Sequence, residues 1–168
     1  MTSAASAAPS AWEQLREVEL LLYREAELAD ANSYKEWFAL WAGELLYWVP
    51  CNADDINPVR HISLIYDDRP ALEERLFRLG TKHAHAQRPQ SKLTRLVSNI
   101  VLADYDATRG GAVTSRFMAV EVRRERPTIW SGRSRHLLVR EQGQLRIREK
   151  HVFLVNNDAP MGNMTFVI

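Results

Sequence analysis

Cysteine is scarce in this chain of 168 residues, which contains Cys51 alone. A single thiol excludes an internal disulfide framework, a cysteine-rich zinc site and an iron–sulfur cluster held by this chain by itself. Long apolar runs are also lacking. None approaches the roughly 20 residues of a membrane-spanning helix, and the first ten residues have neither the basic start nor the apolar centre of a signal peptide. We therefore expect a cytoplasmic protein that does not span a membrane.

Hydrophobic residues make up 46% of the sequence and charged residues 26%, a composition typical of a folded globular protein. The glycine-rich patterns that bind nucleotide phosphates are missing. Residues 1–9 are small and polar and indicate a flexible leader, so we expect one domain over residues 10–168.

Charge is divided unevenly along the chain. Residues 1–84 contain 8 Lys/Arg and 14 Asp/Glu, whereas residues 85–168 contain 14 Lys/Arg and 7 Asp/Glu. On predicted strands, two rows of basic side chains share faces: Arg133 with Arg135, and Arg146 with Arg148 and Lys150. A nucleic-acid-binding module is one interpretation of these rows. Aromatic residues are not interleaved with them, however, which favours acidic partners within this chain or in another protein.

Helices are predicted in the first half of the chain. Ser10 and Glu13 form a capping box ahead of residues 11–29, where apolar residues recur at steps of three and four. A second box, opened by Ser33, precedes a helix predicted over residues 34–41.

The third predicted helix has Asp67 and Asp68 as capping acids, Pro70 in its first turn and Gly80 at its end. All three helices therefore precede the long strands predicted next.

Strands dominate the second half. Residues 44–49 form a buried strand before a polar loop over residues 51–60, and from Leu93 the hydrophobic period is two. The long strands predicted there cover residues 93–103, 112–122, 128–139 and 145–155. Short connections make them antiparallel neighbours, and the absence of βαβ alternation argues against a parallel sheet. The fold class is therefore α+β: a strongly curved antiparallel sheet wrapped around about three N-terminal helices, in the shape of a cone.

His83 and His85 are spaced to share a metal ion on an extended segment. Lys82 and Arg88 add local positive charge that opposes a cation, and no third ligand is specified. We therefore predict no metal site in this chain.

His136 and His151 lie on predicted strands, where each could line a cavity. A lone histidine on a half-buried strand is more often structural than catalytic. An acid–base pair of a strand histidine with Asp30, at the end of the first helix, fits a cone, although no spacing demands it.

Several segments together resemble the small (beta) subunit of aromatic-ring-hydroxylating dioxygenases, the Rieske non-haem iron oxygenases. They run in order over nearly the whole chain: 23–30 (YREAELAD), 34–37 (YKEW), 46–50 (LYWVP), 62–69 (ISLIYDDR), 72–75 (LEER), 96–99 (LVSN), 131–133 (SGR) and 147–156 (IREKHVFLVN). Segment 62–69 is most similar to members that act on benzoate-like or other single-ring acids.

The resemblance implies a fold like that of nuclear transport factor 2 and ketosteroid isomerase, often called NTF2-like or SnoaL-like. It also implies a large (alpha) subunit as partner, three copies of each assembling together. In this family the large subunit holds the Rieske [2Fe-2S] cluster and a mononuclear Fe(II), and electrons from NADH arrive through a reductase and, in some systems, a ferredoxin. The resemblance implies that the complex inserts both atoms of dioxygen into an aromatic ring, and that this chain has a structural role without catalytic, cofactor-binding or metal-binding residues.

Two sets of residues are candidates for function. For the subunit interface we select Tyr66, Asp67, Asp68 and Arg69, because a polar turn that contains an aromatic residue suits an interface rim and anchor. The alternative function is a stand-alone isomerase, dehydratase or cyclase that uses the interior of the cone. Its acid–base candidates are Asp30, Tyr47, His85 and His136.

Overall fold

The computed structural model describes residues 8–52, 57–81, 89–159 and 164–168. Its helices are α1 (Ala11–Asp30), α2 (Tyr34–Phe38) and α3 (Arg69–Gly80). Its strands are β1 (Trp41–Pro50), β2 (Ser63–Asp67), β3 (Lys92–Asp106), β4 (Gly110–Arg123), β5 (Arg126–Glu141) and β6 (Gln144–Leu154).

The six strands form one curved, open sheet in the order β2-β1-β6-β5-β4-β3. The predicted α+β class and the curved sheet are confirmed. Neighbouring strands are antiparallel except for β1 and β6, which run parallel. This parallel pairing joins β1, which precedes α3, to β6, which is the last strand of the antiparallel meander β3–β6.

Helix α1 begins where the capping box predicts. The Ser10 hydroxyl accepts a hydrogen bond from the Glu13 backbone, and the Glu13 carboxylate accepts one from the Ser10 backbone. The buried face of α1 includes Val18, Leu22 and Ala29, which pack with the sheet into the main core. The helical period of the sequence therefore corresponds to the face that enters the cone.

The second helix is shorter than the sequence predicts, and Ser33 makes no side-chain cap. It ends at Phe38, and Trp41 starts β1. Trp41 packs instead against Trp37 and Tyr47, with ring centroids 5.1 and 5.8 Å apart. Burial of these three rings in one group outweighs the local helical pattern.

Strand β2 was not predicted, and Asp67 is its last residue rather than a helix cap. Asp68 alone caps α3, accepting a hydrogen bond from the Ala71 backbone at 3.0 Å. The Asp67 carboxylate is buried and binds Arg75 through both oxygens, at 2.5 and 3.2 Å. The ion pair therefore fastens β2 to α3.

The four long strands are confirmed, with two differences. The β4–β5 turn is Arg124–Glu125, with both φ angles positive, so Pro127 continues β5 rather than breaking it. The register of β5 with β6 shifts between Leu137 and Leu138, and the predicted row of Arg146, Arg148 and Lys150 is therefore wrong. Arg148 is exposed, whereas Lys150 points into the core with 3% exposure.

One glycine position is fixed by close backbone approach. Gly111 has φ of 151°, and a Cβ there would lie 1.9 Å from the Asp104 carbonyl oxygen on β3. The β3–β4 hairpin consequently requires glycine at this position. Among the residues described, no helix is long and apolar enough to cross a membrane.

Candidate functional site

The inside of the cone contains an ion pair between α1 and β6. The Lys150 ammonium donates to Glu25 Oε1 at 2.7 Å, and the Trp37 indole N–H donates to the same oxygen at 2.7 Å. Both members of the pair are at most 5% exposed. Burial opposes the charged carboxylate, but the charges of Lys150 and Arg95 outweigh it and hold the pKa of Glu25 below its usual value.

Asp30, a predicted acid–base residue, ends α1 beside β3. Its carboxylate accepts from the Arg95 backbone at 2.7 Å and from Arg95 Nε at 2.6 Å. The same guanidinium donates to the Val167 carbonyl oxygen at 3.0 Å. The Asp30–Arg95 pair therefore connects α1 and β3 to the C-terminal segment.

Tyr47, the second candidate, is fully buried in β1. Its hydroxyl donates to the Ile168 carbonyl oxygen at 2.8 Å and accepts from the Ile168 backbone N–H at 2.9 Å. Burial raises its pKa above the ordinary value. A phenol held by two backbone contacts and stabilised in its neutral form is poorly suited to proton transfer.

His136, the third candidate, lies on β5 opposite Lys150 of β6 and is 3% exposed. Burial, and then the charge of Lys150, lower its pKa to about 3. The imidazole is therefore neutral near pH 7. Within the described part of the chain, neither ring nitrogen has a hydrogen-bond partner.

These interior groups, Glu25, Arg95, His136 and Lys150, are called the polar cluster below. They line a cavity of about 20 Å³ together with Ser115, Ser134 and apolar side chains. Sites for small organic ligands usually measure about 300–1,000 Å³. The cavity next to His136 is therefore far smaller than such a site.

The fourth candidate, His85, lies outside the described residues, as does His83. Among the residues described, no group of three or more His, Cys, Asp or Glu side chains is placed to hold a metal ion. A Rieske cluster requires two cysteines and two histidines, and the chain has one cysteine. The donor set of this chain therefore does not fit that cluster.

The four predicted interface residues span the end of β2 and the start of α3. Three of them make hydrogen bonds or ion pairs within their own chain: Asp67 binds Arg75, Asp68 caps α3, and Arg69 donates to the carbonyl oxygens of Gly43 and Ala42. Tyr66 differs, because the residue is 49% exposed and its ring makes a T-shaped aromatic contact with Trp48. The role of all four in an interface stays a prediction.

Sequence reasoning missed Glu25, Arg95 and Lys150. A signal for Glu25 was present, because it follows Leu22 by three positions and Val18 by seven, which places a carboxylate on the apolar face of α1. A charge on a buried face needs a partner. Strict alternation along β6 predicts one face for Arg148 and Lys150, and the irregular pairing with β5 instead separates them.

The sequence of this chain was compared with known protein families and with individual proteins. A family model described as "Ring hydroxylating beta subunit" matches residues 24–160. The small oxygenase component of the p-cumate 2,3-dioxygenase system from Pseudomonas putida is 39% identical over 140 residues, covering 82% of this chain and 77% of that protein.

Two further relatives are named for benzoate. The beta subunit of benzoate 1,2-dioxygenase from Acinetobacter baylyi is 30% identical over 150 residues, covering 85% of this chain and 87% of that protein. The crystal structure of the benzoate 1,2-dioxygenase beta subunit from Burkholderia mallei has a TM-score of 0.72 at 24% identity, covering 94% of this chain and 95% of that one. The likeness to this structure shows a shared fold.

Proposed function

This chain belongs to the family of ring-hydroxylating dioxygenase beta subunits, and on that premise we propose that it acts as the structural subunit of a Rieske-type oxygenase. In this proposal a large subunit carries the Rieske cluster and the mononuclear iron, and three copies of each subunit assemble in the cytoplasm. The chain holds the large subunits in register and contributes no residue to the reaction. Electrons originate from NADH and pass through a reductase, with or without a ferredoxin.

The observation that carries this proposal is the state of the acid–base candidates inside the cone. Asp30 and Tyr47 have protein partners, and the cavity beside His136 measures about 20 Å³. A fold of this kind that served as an enzyme would need room for its substrate. Family membership, together with the engaged side chains of Asp30 and Tyr47 and the small cavity beside His136, supports a role in assembly rather than catalysis.

We further propose that the complex acts on a single-ring aromatic acid. The three relatives described above are named for p-cumate or benzoate, and both names denote aromatic carboxylates. Selection of the substrate belongs to the large subunit in this proposal.

The test is native mass spectrometry, combined with iron analysis, of the tagged chain purified from its source cells. We expect a complex with equal numbers of this chain and of a larger, iron-containing partner. A homogeneous monomer or homodimer that does not bind a co-expressed large subunit would contradict the proposal. Incubation of the purified complex with benzoate, NADH and the reductase, followed by product analysis, tests the substrate class separately.

A further inference from the structure

His136 has two hydrogen-bonding ring nitrogens in the core of the protein. Each exposes less than 1 Å² of its surface, and neither bonds to another group in the described part of the chain. A neutral imidazole carries one N–H donor and one acceptor nitrogen. Most buried polar groups in proteins are paired with protein atoms or with ordered water, because an unpaired one destabilises the folded state.

The cavity beside this ring has the size and the walls of a hydration site. Its volume of about 20 Å³ exceeds the roughly 10–15 Å³ that one water molecule requires. Ser115 and Ser134, which are direct partners across β4 and β5, supply hydroxyl groups. Lys150 and Glu25 supply an ammonium donor and a carboxylate acceptor. A buried water molecule usually has two to four such partners.

Other occupants fit the cavity less well. The ammonium of Lys150 and the guanidinium of Arg95 oppose a metal cation, and the Glu25 carboxylate opposes an anion. An organic molecule exceeds the volume. A neutral, small molecule that both donates and accepts hydrogen bonds satisfies all of these conditions.

We propose that this cavity binds one water molecule, which hydrogen-bonds to the His136 ring and to polar side chains on the cavity wall. The water molecule joins β4, β5 and β6 at the polar cluster. It completes the hydrogen bonding of a histidine that sequence analysis had treated as an acid–base candidate. This inference does not depend on the role of the chain in an oxygenase.

The direct test is a crystal structure of the full chain, alone or in its complex, at a resolution of about 1.5 Å or better. We expect an ordered density peak about 2.7–3.2 Å from a His136 ring nitrogen, the range of ordinary hydrogen bonds. A cavity without such a peak would overturn the proposal. A His136 ring that bonds directly to a protein atom at both nitrogens would overturn it too.

A second test uses the sign of a stability change. Ser115→Val fills the cavity with a methyl group, displaces the water molecule and leaves His136 unpaired. We expect the unfolding equilibrium constant to rise about tenfold. In a His136→Leu background the same substitution is expected to change that constant less than about threefold, because the ring is gone.

Ser98→Val is the matched control, because Ser98 lies on the neighbouring strand β3 with an exposed side chain. It reports the effect of valine on strand stability alone. If Ser115→Val stabilises the protein, the cavity is dry and the proposal is wrong. Equal destabilisation in both backgrounds contradicts it as well, since overpacking would then explain the loss.

Discussion

Glu25 and Lys150 lie 125 residues apart in the sequence and form a buried ion pair with an Nζ–Oε1 distance of 2.7 Å. The pair connects α1 to β6, which lies between β1 and β5 in the sheet. Trp37 donates to the same carboxylate oxygen, so α2 is joined to it too. Titratable groups in the cone therefore hold its elements together.

Removal of one member of this pair should destabilise the folded protein. We predict that Glu25→Gln lowers the free energy of unfolding by about 3–5 kcal/mol, because it leaves the Lys150 ammonium buried without a charged partner. Urea denaturation of the purified chain measures the change. Glu27→Gln is the control, since Glu27 forms an exposed pair with Arg24 and should shift the free energy by less than about 0.5 kcal/mol. Equal effects of the two substitutions would contradict the prediction.

Replacement of both members by apolar residues should restore stability. In the double variant Glu25→Met/Lys150→Met both charges of this ion pair are gone, and two side chains of similar volume fill the space. We predict a free energy of unfolding within about 2 kcal/mol of the native protein, well above that of Glu25→Gln. Denaturation under the same conditions makes the comparison. A double variant less stable than Glu25→Gln would show that the ion pair itself is strongly stabilising.

The stability of the protein should depend on pH through His136. The pKa of this histidine is about 3 in the folded state and near 6.5 in an unfolded chain. Below pH 6.5 this histidine is protonated in the unfolded state but stays neutral in the folded state. The free energy of unfolding therefore falls as the pH falls. This group alone accounts for a loss of about 2 kcal/mol between pH 7 and pH 5.

Denaturation of the His136→Leu variant at both pH values checks this expectation. The variant should lose about 2 kcal/mol less than the native protein over that interval. Denaturation of His136→Gln beside His136→Leu serves as the control, because both variants lack the buried imidazole and should show the same reduced dependence on pH. Identical pH dependence in the His136→Leu variant and the native protein would rule out a buried neutral histidine.

Local patterns and long-range contacts differ in how far the sequence reveals them. The Ser10 capping box and the period of α1 depend on neighbours within four residues, and both were predictable. The early end of α2 was not predictable from local sequence. It depends on the packing of Trp41 against Tyr47, a contact that forms only in the folded chain. The bulge that turns Lys150 inward belongs to the pairing of β5 with β6.

Substitution by alanine should have opposite effects on stability at two of the glycine positions. Gly80 ends α3, and a Cβ added there would meet no atom within 4 Å, so Gly80→Ala should stabilise the protein by about 0.5–1 kcal/mol. Gly111→Ala should destabilise it by more than about 2 kcal/mol, since its Cβ would meet the Asp104 carbonyl oxygen. Thermal unfolding of both variants tests the pair. A stable Gly111→Ala protein would mean that the β3–β4 hairpin can shift its register.

The exposed ring of Tyr66 gives the clearest test of the predicted interface. Its neighbours Asp67, Asp68 and Arg69 contact their own chain, so substitutions there would disturb α3 or β1 as well as any interface. Tyr66→Ala removes a ring that is 49% exposed and should leave the fold intact. We predict at least tenfold weaker binding to the co-expressed large subunit, the usual scale for a tyrosine at the centre of an interface.

Phe77→Ala is the matched control for this prediction, because Phe77 is an aromatic residue on α3 with 72% exposure. Pull-down of the large subunit with each tagged variant gives the relative binding, and circular dichroism verifies that each variant is folded. If Tyr66→Ala binds as tightly as the native chain, the β2–α3 segment is not the interface. If Phe77→Ala alone weakens binding, the contact surface lies along α3 instead.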